Sequence, residues 1–384
     1  MKDLQWISNP DLTVDKDNEE GNKARWNTPE CRRHGFHNLH RNNRYGMVLR
    51  SHRVLQLQDN HDLRIGQLPE VKCLQSNPAF SGMVVVRGQD VLHERYAEDF
   101  GPQHPHSIQS ITKLLVNLII GSMWESGDID LDQKIGTYLP QIGSGYRDAR
   151  IQDVLDMNIE NSYTEDYDDP HASSYDQETT IGWRLNSDRE DSLSQMKFLQ
   201  TITSDNLENT TGQVNYKSAN TDVLGYLIER ASGKSLRQWI LEIIEATGIE
   251  GAFYCSTDRY GFPVVDGGGC MTTRDLARLG LLFARKGLGI NGKQAGSKIF
   301  IEQTLRQASL PFAPPRHWMK YRNQAFTNGF WIGHSGYGGQ FLLVDPGTGI
   351  SCAFFSVLEN ESAYDVDYSV SMIQMLEKVS GLYR

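Results

Sequence analysis

A serine and a lysine three positions apart, at the start of an apolar stretch, are the residues of this sequence best suited to covalent chemistry. Ser110 and Lys113 precede the apolar run 114–120, which has the length of a buried helix. Residues i and i+3 of a helix share a face, so the amine can reach the hydroxyl. A serine becomes a good nucleophile only when another group takes its proton, and burial favours this by lowering the pKa of a lysine. The pattern therefore predicts a nucleophilic serine in the first turn of a buried helix, where backbone N–H groups also favour developing negative charge.

The same spacing occurs a second time, at Ser194 and Lys197, so the spacing alone is not specific. This second pair lies in a polar stretch that is typical of a solvated, capped helix start. Only the pair at Ser110 is followed by an apolar helix. We therefore interpret Ser110 as the nucleophile and Ser194 as a structural residue.

The composition excludes several classes of function. The 384 residues include 38 basic and 48 acidic side chains, a net charge of -10, which argues against a partner such as nucleic acid or an anionic membrane. The N-terminal stretch has no apolar signal-peptide core, and the longest apolar runs are too short to span a membrane. The cysteines are scattered without a C-x-x-C motif, which is typical of reduced thiols; they are Cys31, Cys73, Cys255, Cys270 and Cys352. We expect a cytoplasmic location.

Hydrophobic patterning predicts strands near both ends of the chain and helices between them. Strands at 83–87 and 91–96 form an antiparallel hairpin, which excludes the opening of a nucleotide-binding βαβ unit. Further strands are predicted at 329–336, 340–345 and 350–358, and helices at 114–126, 192–202, 221–231, 235–246, 273–284 and 363–379. The prediction is an α+β fold in which an antiparallel sheet is flanked by helices and carries a helical insertion domain. The expected division is an N-terminal extension at 1–80, a sheet domain at 81–165 and 266–384, and a mainly helical domain at 166–265.

Two regions outside these elements carry ionisable side chains. Residues 156–192 are acidic and aromatic with poor periodicity, which indicates either a functional loop or a solvated one. Its charge favours a substrate that carries an amine, and the candidate aspartates are Asp166, Asp168, Asp169 and Asp176. Nearer the N-terminus, histidines recur at every third position, at His34, His37 and His40, but the second pair of ligands typical of a zinc site is missing. We therefore expect no metal and no other cofactor.

Three motifs together resemble a known family. The serine motif at Ser110, Tyr216 ahead of a predicted helix, and His334-Ser335-Gly336 ahead of a predicted strand are similar to the three motifs of serine enzymes with the β-lactamase/transpeptidase-like fold. Their order and spacing resemble the class C β-lactamase branch, which includes penicillin-binding carboxypeptidases, esterases and amidases. Segments 163–170 and 218–225 look most like the 6-aminohexanoate-dimer hydrolases and related carboxylesterases.

The resemblance implies a role for each matching position. Ser110 would be the acylated nucleophile, Lys113 the residue that relays its proton, and Tyr216 the phenol that shares the role of base. A tyrosine and a lysine held together titrate as a pair, so a neutral amine or a phenolate can exist near pH 7. The backbone N–H groups of Ser110 and Tyr337 would form the oxyanion hole. The substrate-binding residues implied in the same way are Tyr167, His334, Ser335, Gly336, Ser218 and Trp331.

The sequence departs from the β-lactamase pattern at two motifs. His334-Ser335-Gly336 replaces Lys-Thr-Gly, so a histidine that is mostly neutral at pH 7 takes the place of a fixed cation. Tyr216-Lys217-Ser218 lacks the asparagine of the class C enzymes. Both departures argue against a penicillin substrate and favour an amidase or esterase that acts on a small amide or ester.

Other functions remain open from the sequence. The same acyl-enzyme could pass its acyl group to an amine or alcohol, which would make the protein an acyltransferase in a biosynthetic route. A non-catalytic binding protein on this fold is a second alternative, and a metal hydrolase that uses the N-terminal histidines or the pair His104 and His106 is a third. A homodimer is possible in each case.

Overall fold

The computed structural model describes residues 25–184 and 193–384. Within them the strands are β1 Gly46–Leu49, β2 Gln58–Asp59, β3 Phe80–Arg87, β4 Asp90–Tyr96, β5 His106–Ser107, β6 Phe253–Ser256, β7 Gly269–Met271, β8 Leu310–Pro311, β9 Lys320–Arg322, β10 Ala325–Thr327, β11 Ile332–Gly336, β12 Gln340–Asp345 and β13 Ile350–Ser356. The helices are α1 Pro29–Asn42, α2 Leu63–Gln67, α3 Pro69–Gln75, α4 Leu114–Ser126, α5 Ile135–Tyr138, α6 Ser144–Arg147, α7 Ile151–Leu155, α8 Ser173–Thr180, α9 Gln195–Thr201, α10 Ser218–Ser232, α11 Leu236–Thr247, α12 Thr273–Ala284, α13 Lys298–Arg306 and α14 Val366–Gly381.

A nine-stranded sheet forms the centre of the molecule, in the order β2-β4-β3-β13-β12-β11-β10-β9-β8. All neighbouring pairs are antiparallel except β2 with β4. Alternate residues of β3 face opposite cores: Val84 and Val86 pack in the core that contains α4 and α12, whereas Met83 and Val85 pack in the core that contains α14. Because helices cover both faces, the central strands are apolar at nearly every position rather than at every second one.

A smaller four-stranded sheet, in the order β1-β6-β7-β5, lies beside the large one. Its strand β5 leads directly into the turn that carries Ser110. Residues before position 80 supply β1, which pairs with β6, and β2, which pairs with β4. Residues of the predicted N-terminal extension thus add a strand to each sheet.

The predicted elements are observed with shifts of a few residues at their ends. The helix predicted at 273–284 is α12, and α4 ends at Gly127, which adopts a left-handed conformation with φ of 80°. The helix predicted at 192–202 is observed as α9, and Ser192 itself lies outside the described residues. One difference is larger: the stretch 156–192, predicted as a loop, contains the helix α8. Short helices α5, α6 and α7 also lie within the predicted sheet domain.

Among residues 25–184 and 193–384, no helix combines the length and the apolar character needed to cross a bilayer.

Candidate active site

The predicted nucleophile lies in a tight 3₁₀ turn, Gln109–Lys113, immediately before α4. Side chains at i and i+3 eclipse one another in such a turn. Lys113 Nζ is accordingly 3.0 Å from Ser110 Oγ and donates a hydrogen bond to it. Lys113 is fully buried, whereas Ser110 is partly accessible. The structure thus brings together the two residues that the spacing predicted to be neighbours.

The backbone next to Ser110 is unusual in two respects. Gln109 has φ of 45°, a left-handed conformation that costs free energy for any residue with a Cβ and that recurs at functional sites. Gly336, at the end of β11, lies so close to this turn that a Cβ there would be 2.6 Å from the Ile108 carbonyl oxygen. Only a glycine permits this approach, and it brings the backbone of the next residue, Tyr337, alongside the nucleophile turn.

The environment of Lys113 is acidic. Besides Ser110, its amine donates to Ser218 Oγ at 3.0 Å and to the backbone carbonyl of Asp266. Burial lowers the pKa of Lys113, but its electrostatic interactions with Tyr216, Asp266 and Glu165 outweigh the effect of burial and raise the pKa overall. The expectation that burial would leave this lysine partly neutral near pH 7 is therefore wrong. The reason is that carboxyl groups from distant parts of the chain surround the amine.

Tyr216 is the third predicted member of the site. Its ring centroid is 5.2 Å from Lys113 Nζ, and its hydroxyl interacts with the side chains of both Ser110 and Lys113. Burial raises the pKa of Tyr216, while the Lys113 ammonium and these hydrogen bonds lower it only in part. Both pKa values are thus raised, which favours the ammonium form of Lys113 and the neutral form of Tyr216.

Glu165 organises the other side of the site, and sequence reasoning did not identify it. Its carboxylate accepts hydrogen bonds from the Ser218 backbone N–H at 2.6 Å and from Ser218 Oγ at 2.8 Å. It also accepts a bond of 2.6 Å from the Tyr167 hydroxyl. A carboxylate at the N-terminus of α10 is favoured by the unpaired N–H groups there. Glu165 therefore fixes both Ser218, which contacts Lys113, and Tyr167.

A small, partly open cavity with a volume of about 40 Å³ lies beside Ser110. Its lining includes three carboxyl groups, and none of the described residues that line it is a lysine, arginine or histidine. Five aromatic side chains also line it. These residues are Glu165, Glu178, Asp266, Trp26, Tyr163, Tyr167, Trp183 and Tyr337. The cavity is therefore both acidic and aromatic, a combination that favours a cationic group.

Two of the nearby carboxyl groups are buried and incompletely paired. Gln177 Nε2 donates to Asp222 at 2.6 Å and to Asp266 at 3.2 Å, and within the described residues Oδ1 of each aspartate has no hydrogen-bond partner. Burial, opposed by the Lys113 ammonium, raises the pKa of Asp266 to about 6. Burial also raises the pKa of Glu178, although Glu178 forms an ion pair with the half-exposed Arg184.

Several predicted substrate-binding residues lie elsewhere. Trp331 is fully buried on the α14 side of the sheet, where its indole N–H donates to Glu377 at 2.7 Å, so the prediction that it contacts substrate is corrected. His334 is also buried, and its ring lies 6.1 Å from that of Tyr216, behind the site rather than in the cavity. Burial lowers the pKa of His334 well below its usual value. Ser335 and Gly336 lie on β11 and are not lining residues, whereas Tyr167 and Ser218 are.

The four aspartates predicted to attract an amine also lie outside the cavity. Asp166, Asp168, Asp169 and Asp176 are exposed and do not line the cavity. The same region of the sequence does supply residues that line the cavity. They are Glu165, residues of α8 and residues of the segment that follows α8.

In the described part of the chain, the other candidate residues that were singled out by their spacing make structural contacts. Ser194 caps α9 by accepting a hydrogen bond from the Lys197 backbone N–H, and Lys197 is exposed. The histidines of α1 make separate contacts: His37 Nε2 is 3.0 Å from Ser81 Oγ, and His40 packs against Tyr254. Within the described residues, no three His, Cys, Asp or Glu side chains are grouped to hold a metal ion.

Comparison with known proteins identifies the class to which this site belongs. Residues 71–369 match the beta-lactamase family model, which covers more than half of the chain. The chain therefore belongs to the beta-lactamase family and is a hydrolase with the β-lactamase/transpeptidase-like fold. The sequence-based resemblance and fold class are confirmed.

Individual relatives place the chain within that family. It is 29% identical to a 6-aminohexanoate-dimer hydrolase of Paenarthrobacter ureafaciens over 296 residues, 73% of this chain and 74% of the relative. A Bacillus anthracis structure assigned as a 6-aminohexanoate-dimer hydrolase superposes with a TM-score of 0.77 at 21% identity, covering 93% of this chain and 96% of the other. A D-stereospecific amidohydrolase from Streptomyces gives a TM-score of 0.57 at 16% identity, covering 80% and 97%.

Proposed function

We propose that the protein is a serine amidase or esterase that forms an acyl-enzyme at Ser110 on a small amide or ester. The observation that carries this proposal is the convergence of Ser110, Lys113 and Tyr216 at one point, where Ser110 lines the cavity. Tyr216 is more than 100 positions from the other two in the chain, and a packing role does not require a buried amine to point at an accessible hydroxyl.

In the proposed mechanism the Lys113 and Tyr216 pair first loses one proton to solvent, which leaves Tyr216 as a phenolate stabilised by the neighbouring Lys113 ammonium. The phenolate then accepts the Ser110 proton and becomes a phenol as the Ser110 oxygen attacks the carbonyl carbon. The Ser110 and Tyr337 backbone N–H groups would hold the oxyanion, and each such donor lowers a barrier by about 3 kcal/mol. Tyr216 then gives its proton to the leaving amine or alcohol. Water hydrolyses the ester at Ser110 by the same steps in reverse.

The test of this proposal is the intact mass of the protein after mixing with p-nitrophenyl esters and short amides. We expect an adduct of acyl mass, located by peptide mapping at Ser110, and its decay at the rate of turnover. Adding an amine acceptor decides between hydrolysis and acyl transfer: a new amide product would favour the acyltransferase alternative. A protein that binds these compounds and never carries an adduct, under conditions of measurable turnover, would contradict an acyl-enzyme.

We further propose that the acyl part of the substrate carries a primary amine that occupies the acidic cavity. Glu178 and Asp266 line this cavity together with Trp26 and Trp183, and carboxylates and indole rings both attract an ammonium group. The relative from Paenarthrobacter is named for a dimer of an amino acid whose amine lies at the end of an aliphatic chain. Both observations favour an ω-amino acyl group.

Replacing Glu178 with glutamine is expected to raise KM for p-nitrophenyl 6-aminohexanoate by about tenfold or more, because a charge-assisted contact contributes about 1.5–3 kcal/mol. The ester of the uncharged isostere, p-nitrophenyl heptanoate, should keep its KM within about twofold. Steady-state kinetics of both esters measure the effect.

Asp168→Asn is the matched control, because Asp168 is an exposed carboxylate of the same region that does not line the cavity. It should leave both KM values unchanged. Equal changes for the charged and uncharged esters in the Glu178 variant, or an equal effect of Asp168→Asn, would mean that the cavity does not bind the amine.

A further inference from the structure

Part of the cavity lining comes from the N-terminal segment. Trp26 and Asn27 line the cavity together with Ser110, although both precede residue 71, where the match to the family begins. Trp26 is 6% exposed, and its indole N–H donates to the Trp183 carbonyl at 2.9 Å. The two indole rings meet edge to face with centroids 5.5 Å apart. The two tryptophans thus form a continuous apolar surface over one side of the cavity.

The segment is anchored on the C-terminal side of Trp26. Arg32 is 1% exposed, and its guanidinium donates to the Asn27 side chain at 2.9 Å and to the carbonyls of Leu358 and Glu361 at 2.9 and 3.1 Å. Asn27 in turn donates to the Tyr337 hydroxyl at 3.5 Å. A buried cation with this many carbonyl partners ties the N-terminal segment to the loop after β13.

The spacing between this segment and α1 is fixed by a glycine. Gly35 lies on α1 against the Trp26 backbone, and a Cβ at that position would overlap the Trp26 carbonyl group. Phe36, the next residue, packs against the Trp26 ring with centroids 5.8 Å apart. Substitution of Gly35 would therefore displace the Trp26 wall without altering any residue that lines the cavity.

We propose that Trp26 is a specificity-determining residue of this hydrolase, because its indole closes the cavity and limits the length of the acyl chain that can be accommodated beside Ser110. This inference rests on the proposed function, since it requires an acyl group to occupy the cavity. The wall is held rigidly by the Trp183 carbonyl, Arg32 and α1, so a chain that is too long meets a fixed indole rather than a mobile loop.

The experiment compares kcat/KM for p-nitrophenyl esters of ω-amino acids of increasing chain length. In Trp26→Ala the ratio of the longest to the shortest ester should rise about tenfold or more, because steric discrimination at a fixed wall is worth at least that factor per misfit group. Gly35→Ala should also change this ratio, because it displaces Trp26. The ratio rises if the displacement lengthens the space for the acyl chain and falls if it shortens that space. Trp26→Phe, which keeps an aromatic wall, should shift it less than Trp26→Ala does.

Trp239→Ala is the control for loss of a tryptophan, because Trp239 also donates its indole N–H, to Ser232 at 3.1 Å, and is not a lining residue. It should leave the ratio unchanged. Acylation by p-nitrophenyl acetate distinguishes a failure of the proposed function from a failure of the proposed role of Trp26. If no ester acylates the wild-type protein, the proposed function is wrong. If acetate acylates Ser110 in every variant and the length ratio is the same in wild type, Trp26→Ala and Gly35→Ala, the role of Trp26 is disproved.

Discussion

Replacing Ser110 with alanine is expected to abolish the acyl adduct and to lower kcat for any ester or amide substrate by about 10⁴-fold or more. The reason is that Lys113 and Tyr216 lie next to the Ser110 hydroxyl and can activate it. Among the described residues, the other hydroxyl beside them at the cavity is that of Ser218, which is already bonded to Glu165. Intact-mass measurement and turnover of the same ester report the two losses together. Substrate affinity should be retained, because the cavity walls are unaltered.

The chain provides a matched control for this substitution at its second S-x-x-K pair. Ser194→Ala removes the cap of α9 and should cost about 1 kcal/mol of stability, seen as a lower thermal midpoint. It should leave kcat and the adduct unchanged. Activity that survived in Ser110→Ala and disappeared in Ser194→Ala would reverse the assignment of the nucleophile.

Tyr216→Phe is expected to lower kcat by about 10²–10⁴-fold, the usual contribution of a general acid or base, with little effect on KM or on folding. The substitution removes only the hydroxyl that interacts with Ser110 and Lys113. In the wild type both the Lys113 and Tyr216 pKa values are raised, so the pair must lose a proton before it can act as a base. The wild-type kcat/KM should therefore rise with pH between 7 and 9, and kcat/KM of Tyr216→Phe should lose that rise.

Tyr321→Phe is the control for Tyr216→Phe. Tyr321 is a buried tyrosine whose ring lies 5.8 Å from that of Tyr216, and its hydroxyl is 3.4 Å from His334 Nε2. Loss of that contact should cost at most about 1 kcal/mol of stability and leave the pH profile intact. A pH-independent rate between pH 7 and 9 in the wild type, or equal losses in both variants, would contradict Tyr216 as the base.

Elements with regular hydrophobic patterns were predictable from sequence, and so was the pairing of Ser110 with Lys113. The helix α12 is amphipathic, the strands β3, β12 and β13 are buried at nearly every position, and β4 follows β3 after a short turn at Gly88. The proximity of Lys113 to Ser110 follows from local geometry alone, since both lie in one turn. That Tyr216 also lies there was implied by the resemblance, not by local pattern.

The missed helix α8 has a physical explanation. Its buried positions are Ser174, Gln177 and Thr180, which are polar and recur at intervals of three. They face the site, where Gln177 bonds to Asp222 and Tyr163, so the helix has no apolar stripe to detect. A helix that buries hydrogen-bonding groups instead of apolar ones is not visible to hydrophobic periodicity.

The acidic residues that line the cavity were predicted at the wrong positions for a similar reason. Net charge along a loop does not distinguish a carboxylate that points to solvent, such as Asp168, from one that points inwards, such as Glu165 or Glu178. Asp266 is about 100 residues further along the chain and reaches the cavity only through the fold. The same long-range contacts raise the pKa of Lys113. The direction of this pKa shift therefore could not be predicted from the helix alone.

The pairing of β1 with β6 has a consequence for how the protein is made. Gly46 lies opposite Ser256, so the first strand has no partner until about 200 further residues have been synthesised, which takes roughly 10–40 s at ordinary translation rates. Trp26 likewise lacks the Trp183 carbonyl that accepts its indole hydrogen bond, which is 157 positions further along the chain, and Asn27 lacks Tyr337 for longer. The N-terminal segment, which carries basic side chains such as those of Arg32, Arg33 and Arg41, therefore leaves the ribosome well before the parts of the chain that it packs against have been made.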